Sequence, residues 1–167
     1  IKKYKDFYKI KTDYDKYVGF IKKRKFEQFA FKPTHKVSSL KANVFSKPIK
    51  SSRIKMKLSF TSLLQVKSSN KEFFNFDNYW IQKSDVVPIK YKEKIFKRVK
   101  IFRNVKYKWG GKKFDGIDCS GLVQLFYKFN NLFCPRDTGP QFRYFKKFKS
   151  IKKNATIFWK GHVAVCL

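Results

Sequence analysis

Acidic residues are scarce in this chain: 11 of them stand against 41 lysines and arginines, for a formal net charge of +30. That excludes a self-neutralising surface and points toward polyanions, either nucleic acid or an anionic cell-envelope polymer. The distribution argues against a specific nucleic-acid site, because residues 1–90 and 91–167 each carry a net +15 and a dedicated binding face clusters its charge. Lysine dominates arginine, and the excess of Lys, Phe, Ile and Asn is read as compositional drift of an AT-rich genome before it is read as a selected stripe. No run of 18 or more apolar residues occurs, so no transmembrane segment is expected. Only two histidines and three cysteines (Cys119, Cys134, Cys166) are present, with no Cys-x-x-Cys. A zinc cage or other metal site is therefore not expected, and the odd count leaves at least one free thiol.

What is abundant is apolar and aromatic. Hydrophobic residues make up 43% of the chain and 20 are phenylalanine, too much for a disordered protein, so at least one core forms. A length of 167 residues suits one ordinary domain or two to three very small ones. The chain opens on Ile1 in IKKYKDFYKI and stops after HVAVCL, which reads as the middle of a strand. Both ends are expected to lie inside a longer protein, so the sequence does not decide on a signal peptide.

Residues 1–90 read as short strands separated by turns. DFYKIKTDYDKYVGFI has two alternating segments around Asp13–Asp15. LKANVFSKPIKSSRIKMKLSF turns at Pro48 and Ser51–Ser52, and EFFNFDNYWIQKSDVVPI turns at Asp77–Asn78 and ends at Pro88. Strands of four to six residues at this spacing predict a small barrel. FYKIKTDYDKYVGFIKKRKF also parallels FFNFDNYWIQKSDVVPI: an aromatic strand, a turn, then a strand with a polar tail. This resembles the ending of a bacterial SH3-like domain. It implies the C-terminal part of one such unit over 1–30 and a whole second one over 35–90, with His35 solvated in the linker.

After Tyr91 the texture changes. Ile95, Val99 and Phe102 in YKEKIFKRVKIF recur at helical spacing, NVKYKWGGKKFDGID is a glycine-rich loop, and Cys119–Asn130 places Leu122, Val123, Phe126 and Phe129 on one helical face. Asp118 is suited to cap this helix, leaving Cys119 in its first turn. CPRDTGPQFRYF, broken by Pro135 and Pro140, predicts a short helix, and ATIFWKGHVAVCL predicts two strands (Thr156–Trp159, His162–Leu167) joined at Lys160–Gly161. Cys119 has two readings, a buried structural thiol or a nucleophile. A helix N-terminus favours the thiolate and offers N–H groups to an oxyanion. His162, at the start of a strand after Gly161, is the candidate base. Asp118 opposes a low thiol pKa, so the histidine must dominate.

YKWGG (107–111), GIDCSGLVQ (116–124), PRDT (135–138) with Gln141, and FWKGHVA (158–164) carry, in their order and spacing, a resemblance to a known family. Residues 91–167 resemble the NlpC-type cell-wall cysteine peptidases, a papain-like fold often preceded by SH3-like domains. The implied fold class is α+β: small all-β SH3-like barrels followed by a papain-like peptidase domain, truncated at both ends. The resemblance implies Cys119 as nucleophile, His162 as general base, and Tyr107 beside the oxyanion. It further implies that Asp118, Ser120 and Thr138 hold the free amine of an N-terminal L-alanine. Tyr107 and Trp109 also have a plain reading as core aromatics, Trp109 above all, and Asp118 as only a cap. The third polar residue, which orients the histidine, falls beyond residue 167. Asn154–Ala155 replaces the family's Gly-Asp, expected to alter a turn and not the chemistry. Cys134 and Cys166 match no functional position, and Cys166 is expected to be buried.

The implied activity is hydrolysis of the γ-D-glutamyl–diamino acid bond of peptidoglycan stem peptides, with no metal or organic cofactor. The alternatives are a non-catalytic wall-binding protein and, less favoured, a basic nucleic-acid-binding protein. Either the bacterial cell envelope or the cytoplasm is compatible with the sequence, since family members remodel the wall outside and recycle its peptides inside.

Overall fold

The computed structural model describes residues 2–26 and 30–167. Residues 1 and 27–29, part of the unit expected over 1–30, lie outside the described residues. Strands β1 (Lys2–Tyr4), β2 (Phe7–Lys11) and β3 (Val18–Lys22) form an antiparallel sheet in that order. The expected turn at Asp13–Asp15 joins β2 to β3. The Thr12 amide donates to the Tyr17 carbonyl at 2.9 Å across its base, and the Thr12 hydroxyl donates to the Asp15 carboxylate.

Eight further strands follow: β4 (His35–Val37), β5 (Lys41–Phe45), β6 (Ile54–Ser59), β7 (Leu63–Leu64), β8 (Ser68–Ser69), β9 (Phe73–Phe76), β10 (Tyr79–Gln82) and β11 (Val86–Pro88). They make a five-stranded sheet, β6-β5-β10-β9-β8, and a three-stranded one, β11-β4-β7. Val37, Leu64 and Val86 of the smaller sheet pack with Ala42, Val44, Phe76 and Ile81 of the larger in one core. Asp77 and Asn78 both take positive φ, 44° and 64°, in the tight β9–β10 turn where short polar side chains tolerate that backbone. Among the described residues no sheet closes into a barrel. Between β6 and β7 the chain turns at Thr61 (φ 69°), leaving one sheet for the other, so two facing open sheets stand where a barrel was expected. His35 is a strand residue, not a solvated linker residue. It pairs with Leu64 and Pro88, its ring lies 4.6 Å from that of Phe74, and burial holds its pKa below the usual value.

The amphipathic helix expected over 91–102 is not there. Phe96 adopts φ 67°, which a right-handed helix cannot contain, and its ring is buried against Phe126 at 5.6 Å. Only a short 3₁₀ turn, Val99–Phe102, remains. The rest follows the expected order: a ribbon of β12 (Lys112–Lys113) and β13 (Gly116–Ile117), helix α1 (Cys119–Phe129), helix α2 (Thr138–Tyr144), and a hairpin of β14 (Thr156–Trp159) and β15 (His162–Val165). The fold is mixed α/β. Val123, Phe126 and Phe129 of α1 are fully buried with Phe60, Phe102, Cys134 and Val163. Phe60, from the β6–β7 turn, stacks on Phe129 at 4.8 Å, so the β-sheet unit and α1 share this core. Among the described residues no helix is long and apolar enough to cross a membrane.

Candidate active site

Asp118 caps α1 as the sequence predicts, its Oδ1 accepting from the Gly121 amide at 2.6 Å. Cys119 is thereby the first helical residue, half-buried, with free N–H groups of the first turn around it. The WGG loop wraps this helix start. The Gly110 amide donates to Asp118 Oδ2 at 2.8 Å, and the Asp118 amide donates to the Gly111 carbonyl at 3.2 Å. The close approach requires glycine at Gly121, where a Cβ would sit 2.7 Å from the Gly111 oxygen.

Thr138, at the start of α2, brings its hydroxyl to 3.8 Å from Cys119 Sγ. Tyr107 pairs with Ile117 just before the helix and is 59% exposed, so it is not a core residue. Desolvation pushes its phenol pKa up, and Cys119 and Asp118 push it further. Trp109, expected in the core, is 84% exposed at the cavity's edge. His162 opens β15 opposite Trp159, with ring centroids 4.8 Å apart. Among the described residues no hydrogen bond joins His162 to Cys119; Gly161, next to it, lines the cavity that the thiol faces. Cys166 is half-buried and follows β15, its amide donating to the Ala155 carbonyl at 2.9 Å. Cys134 is fully buried, and burial pushes its thiol up to about 12, a state unsuited to nucleophilic work.

The cavity is about 720 Å³ and runs from Cys119 to the N-terminal hairpin. Its polar wall rests on a residue to which the sequence reading assigned no role. Arg136 forks onto Asp118, with Nη1 to Oδ1 at 3.0 Å and Nη2 to Oδ2 at 2.5 Å, and Nη1 also donates to Ser120 Oγ at 2.9 Å. Burial raises the Asp118 pKa, but Arg136 and the Gly121 and Gly110 amides outweigh it and hold the carboxyl below its usual range. Asp118 is thus saturated with protein donors. Gln141, fully buried in α2, donates to the Ser120 and Pro135 carbonyls at 2.9 Å and holds α2 against α1.

The other side of the cavity is supplied by Thr12, Tyr14, Asp15 and Tyr17 of the β2–β3 turn, more than a hundred residues from the thiol in sequence. Gln124 of α1 donates to Asp15 Oδ2 at 2.8 Å and the Tyr14 hydroxyl donates to the Leu132 carbonyl at 2.8 Å, fastening the turn in place. Nothing in the local sequence signals this. Arg136 did carry a signal, since only six of the 41 basic residues are arginine and a buried bidentate pair needs the guanidinium fork.

The structure thus places a thiol at a helix start and a histidine at the start of the second strand of a hairpin. Residues 104–167 match the model of the NlpC/P60 family. Two curated relatives are each named gamma-D-glutamyl-L-lysine dipeptidyl-peptidase. The one from Bacillus subtilis is 29% identical over 138 residues, 75% of this chain and 45% of the relative. The one from Bacillus cereus is 31% identical over 77 residues, 41% of this chain and 23% of the relative. The chain therefore spans less than half the length of either. The crystal structure of an NlpC/P60 family protein from Bacillus cereus superposes with a TM-score of 0.67 at 25% identity, over 80% of this chain and 51% of that one.

Proposed function

We propose that the protein is a cysteine peptidase that cleaves peptidoglycan stem peptides between γ-D-glutamate and the following diamino acid. The observation that carries this is Cys119 at the N-terminus of α1, half-buried and open to a cavity of peptide size. In this reading the Cys119 thiolate attacks the glutamyl γ-carbonyl after His162 takes its proton. The Tyr107 hydroxyl and the first-turn amides receive the oxyanion. His162 then protonates the departing amine, and water, deprotonated by the same imidazole, releases the acyl group. No metal or organic cofactor has a part in these steps.

Saturation of Asp118 by Arg136 modifies the amine site. Asp118 and Ser120 act as its scaffold, and the free L-alanine amine faces Asp137, a cavity-wall carboxylate with no hydrogen bond to its side chain among the described residues. The β2–β3 turn closes that end, which favours short free peptides over stems still attached to wall. We read the sheets ahead of the peptidase domain as SH3-like modules that supply this closure. Release of L-Ala-γ-D-Glu from L-Ala-γ-D-Glu-diaminopimelate, followed by mass spectrometry on the full-length protein, tests the reading. Cleavage is expected, with loss of at least a thousandfold in Cys119→Ala, on the order of other nucleophile deletions. Cleavage surviving that substitution refutes the mechanism. Equal rates on the N-acetylated peptide refute recognition of the amine, and binding to wall without cleavage of either peptide would make the protein a wall-binding one.

A further inference from the structure

Between α2 and β14 the chain runs as KKFKSIKK (146–153), five lysines in eight residues around one phenylalanine and one isoleucine. Both apolar side chains face solvent: Phe148 is 61% exposed and Ile151 71%. With Phe142, 46% exposed, they border a recess of about 610 Å³ whose half-buried wall is Phe145, Ile157 and Phe158. Lys146, Lys147 and Lys149 line the same recess. The Lys147 ammonium lies 4.6 Å from the Phe142 ring centroid and the Lys152 ammonium 5.3 Å from that of Phe148, so cations stand beside the exposed aromatics. None of the five lysines has a carboxylate partner among the described residues, and residues 138–167 contain no Asp or Glu at all.

A single exposed apolar residue needs no explanation, but several around one recess, on a surface of one charge sign, do. The lysines require an anionic partner. A fully polar polyanion would satisfy them and leave Ile151 and the recess in water. A second copy of this chain would cover the apolar atoms but bring its own +30 to the contact. An anionic lipid bilayer satisfies both demands: its headgroup charge attracts lysines, and the boundary just beneath takes up phenylalanine and isoleucine side chains. We propose that residues 146–153 and the recess beside them form a docking surface for an anionic bilayer. Phe148 and Ile151 enter the boundary between headgroups and acyl chains, and the lysines, Lys146 and Lys149 foremost, pair with lipid phosphates. The association is peripheral and does not depend on the peptidase reading.

Vesicle binding tests it. Full-length protein is sedimented at physiological salt with vesicles of phosphatidylcholine alone and of equimolar phosphatidylcholine and phosphatidylglycerol. Binding is expected to the mixed vesicles and not to phosphatidylcholine. Phe148→Ser with Ile151→Ser should weaken it about tenfold and leave the melting temperature unchanged, because both side chains are exposed. Lys146→Gln with Lys149→Gln should weaken it about twentyfold, at roughly fivefold per lysine. Lys55→Gln with Lys57→Gln, exposed on β6, removes the same charge and should weaken it less than about twofold. Absence of binding to the mixed vesicles overturns the proposal. An equal loss in the β6 variant also overturns it, because the general field of the chain would then explain adsorption. Full binding by the Phe148–Ile151 variant overturns it too, since the contact would be electrostatic alone. Should that variant lose its fold, the two lysine pairs decide. Retention on soluble poly-glutamate, weakened by the Phe148–Ile151 change as much as vesicle binding is, would assign the surface to an anionic polymer and overturn the bilayer.

Discussion

Arg136 holds together the polar wall beside the thiol, and its replacement separates charge pairing from shape. Arg136→Met keeps much of the side-chain volume but leaves the Asp118 carboxylate buried with only backbone amides and Ser120. Removing one partner of such a pair should cost about 3 kcal/mol at neutral pH, read from urea unfolding. The pH dependence has a definite sign. The Asp118 pKa is depressed in the folded state, so its stabilisation is present above the unfolded carboxyl pKa and is lost as pH falls through the folded one. The difference between wild type and Arg136→Met should therefore be largest near pH 7 and shrink toward pH 3. A constant difference across that range would mean that packing, and not the ion pair, explains the cost. Asp118 was legible as a cap because capping is local, whereas its partner sits 18 residues along the chain and only folding brings the two together.

Helix α1 was legible as an element because its apolar spacing and its cap lie within one stretch of a dozen residues, so helix and start could be placed together. Its fit against the WGG loop depends on glycine in the first turn. Gly121→Ala would set a methyl 2.7 Å from the Gly111 oxygen and 2.8 Å from Asp118 Oδ1, both close to the thiol. Backbone must move, and the expected loss is about 2 kcal/mol despite the better helix propensity of alanine. Gly139→Ala in α2 meets nothing nearer than 3.8 Å and should stay within about 0.5 kcal/mol of wild type. Thermal unfolding of the pair checks the contrast, and similar melting temperatures would show that the loop yields without strain. The stretch 91–102 is not a helix for the converse reason. Its apolar spacing is real, but Phe96 is drawn into the α1 core through a left-handed backbone, and tertiary packing overrides the local pattern.

At the scale of the whole molecule, Lys36 joins the β-sheet unit to α1. It is 1% exposed, yet its ammonium donates to the Tyr91 carbonyl at 2.7 Å and to the Phe129 carbonyl at the C-terminal end of the helix, with the Phe129 ring 4.8 Å away. A cation at a helix C-terminus is favourable, but burial first, and Lys92 second, bring its pKa down to about 8 against the opposing pull of Glu93. Between that value and the unfolded 10.5, the unfolded chain holds more protons, so this group makes stability rise with pH in that window. After allowance for solvent screening the rise is at most about 2 kcal/mol. Lys36→Met should lack it, seen as a flatter dependence of the urea midpoint on pH from 8 to 10.5. Parallel curves for the two proteins would contradict the assignment.

The sequence by itself determined the order of elements from α1 onward, the start of α1 at Cys119, the β14–β15 hairpin that presents His162, and the turns at Asp13–Asp15 and Asp77–Asn78. Each of these follows from periodicity, capping or turn chemistry acting over a few residues, where the energetics are local. Tertiary structure alone decided that the β2–β3 turn walls the thiol cavity, that Arg136 neutralises Asp118, that Lys36 is buried against α1, that Trp109 is exposed, and that the sheets stay open. Those outcomes depend on which distant surfaces bury one another, and a run of lysines and aromatics looks the same along the chain whether its members end in solvent, in a core or beside a carboxylate.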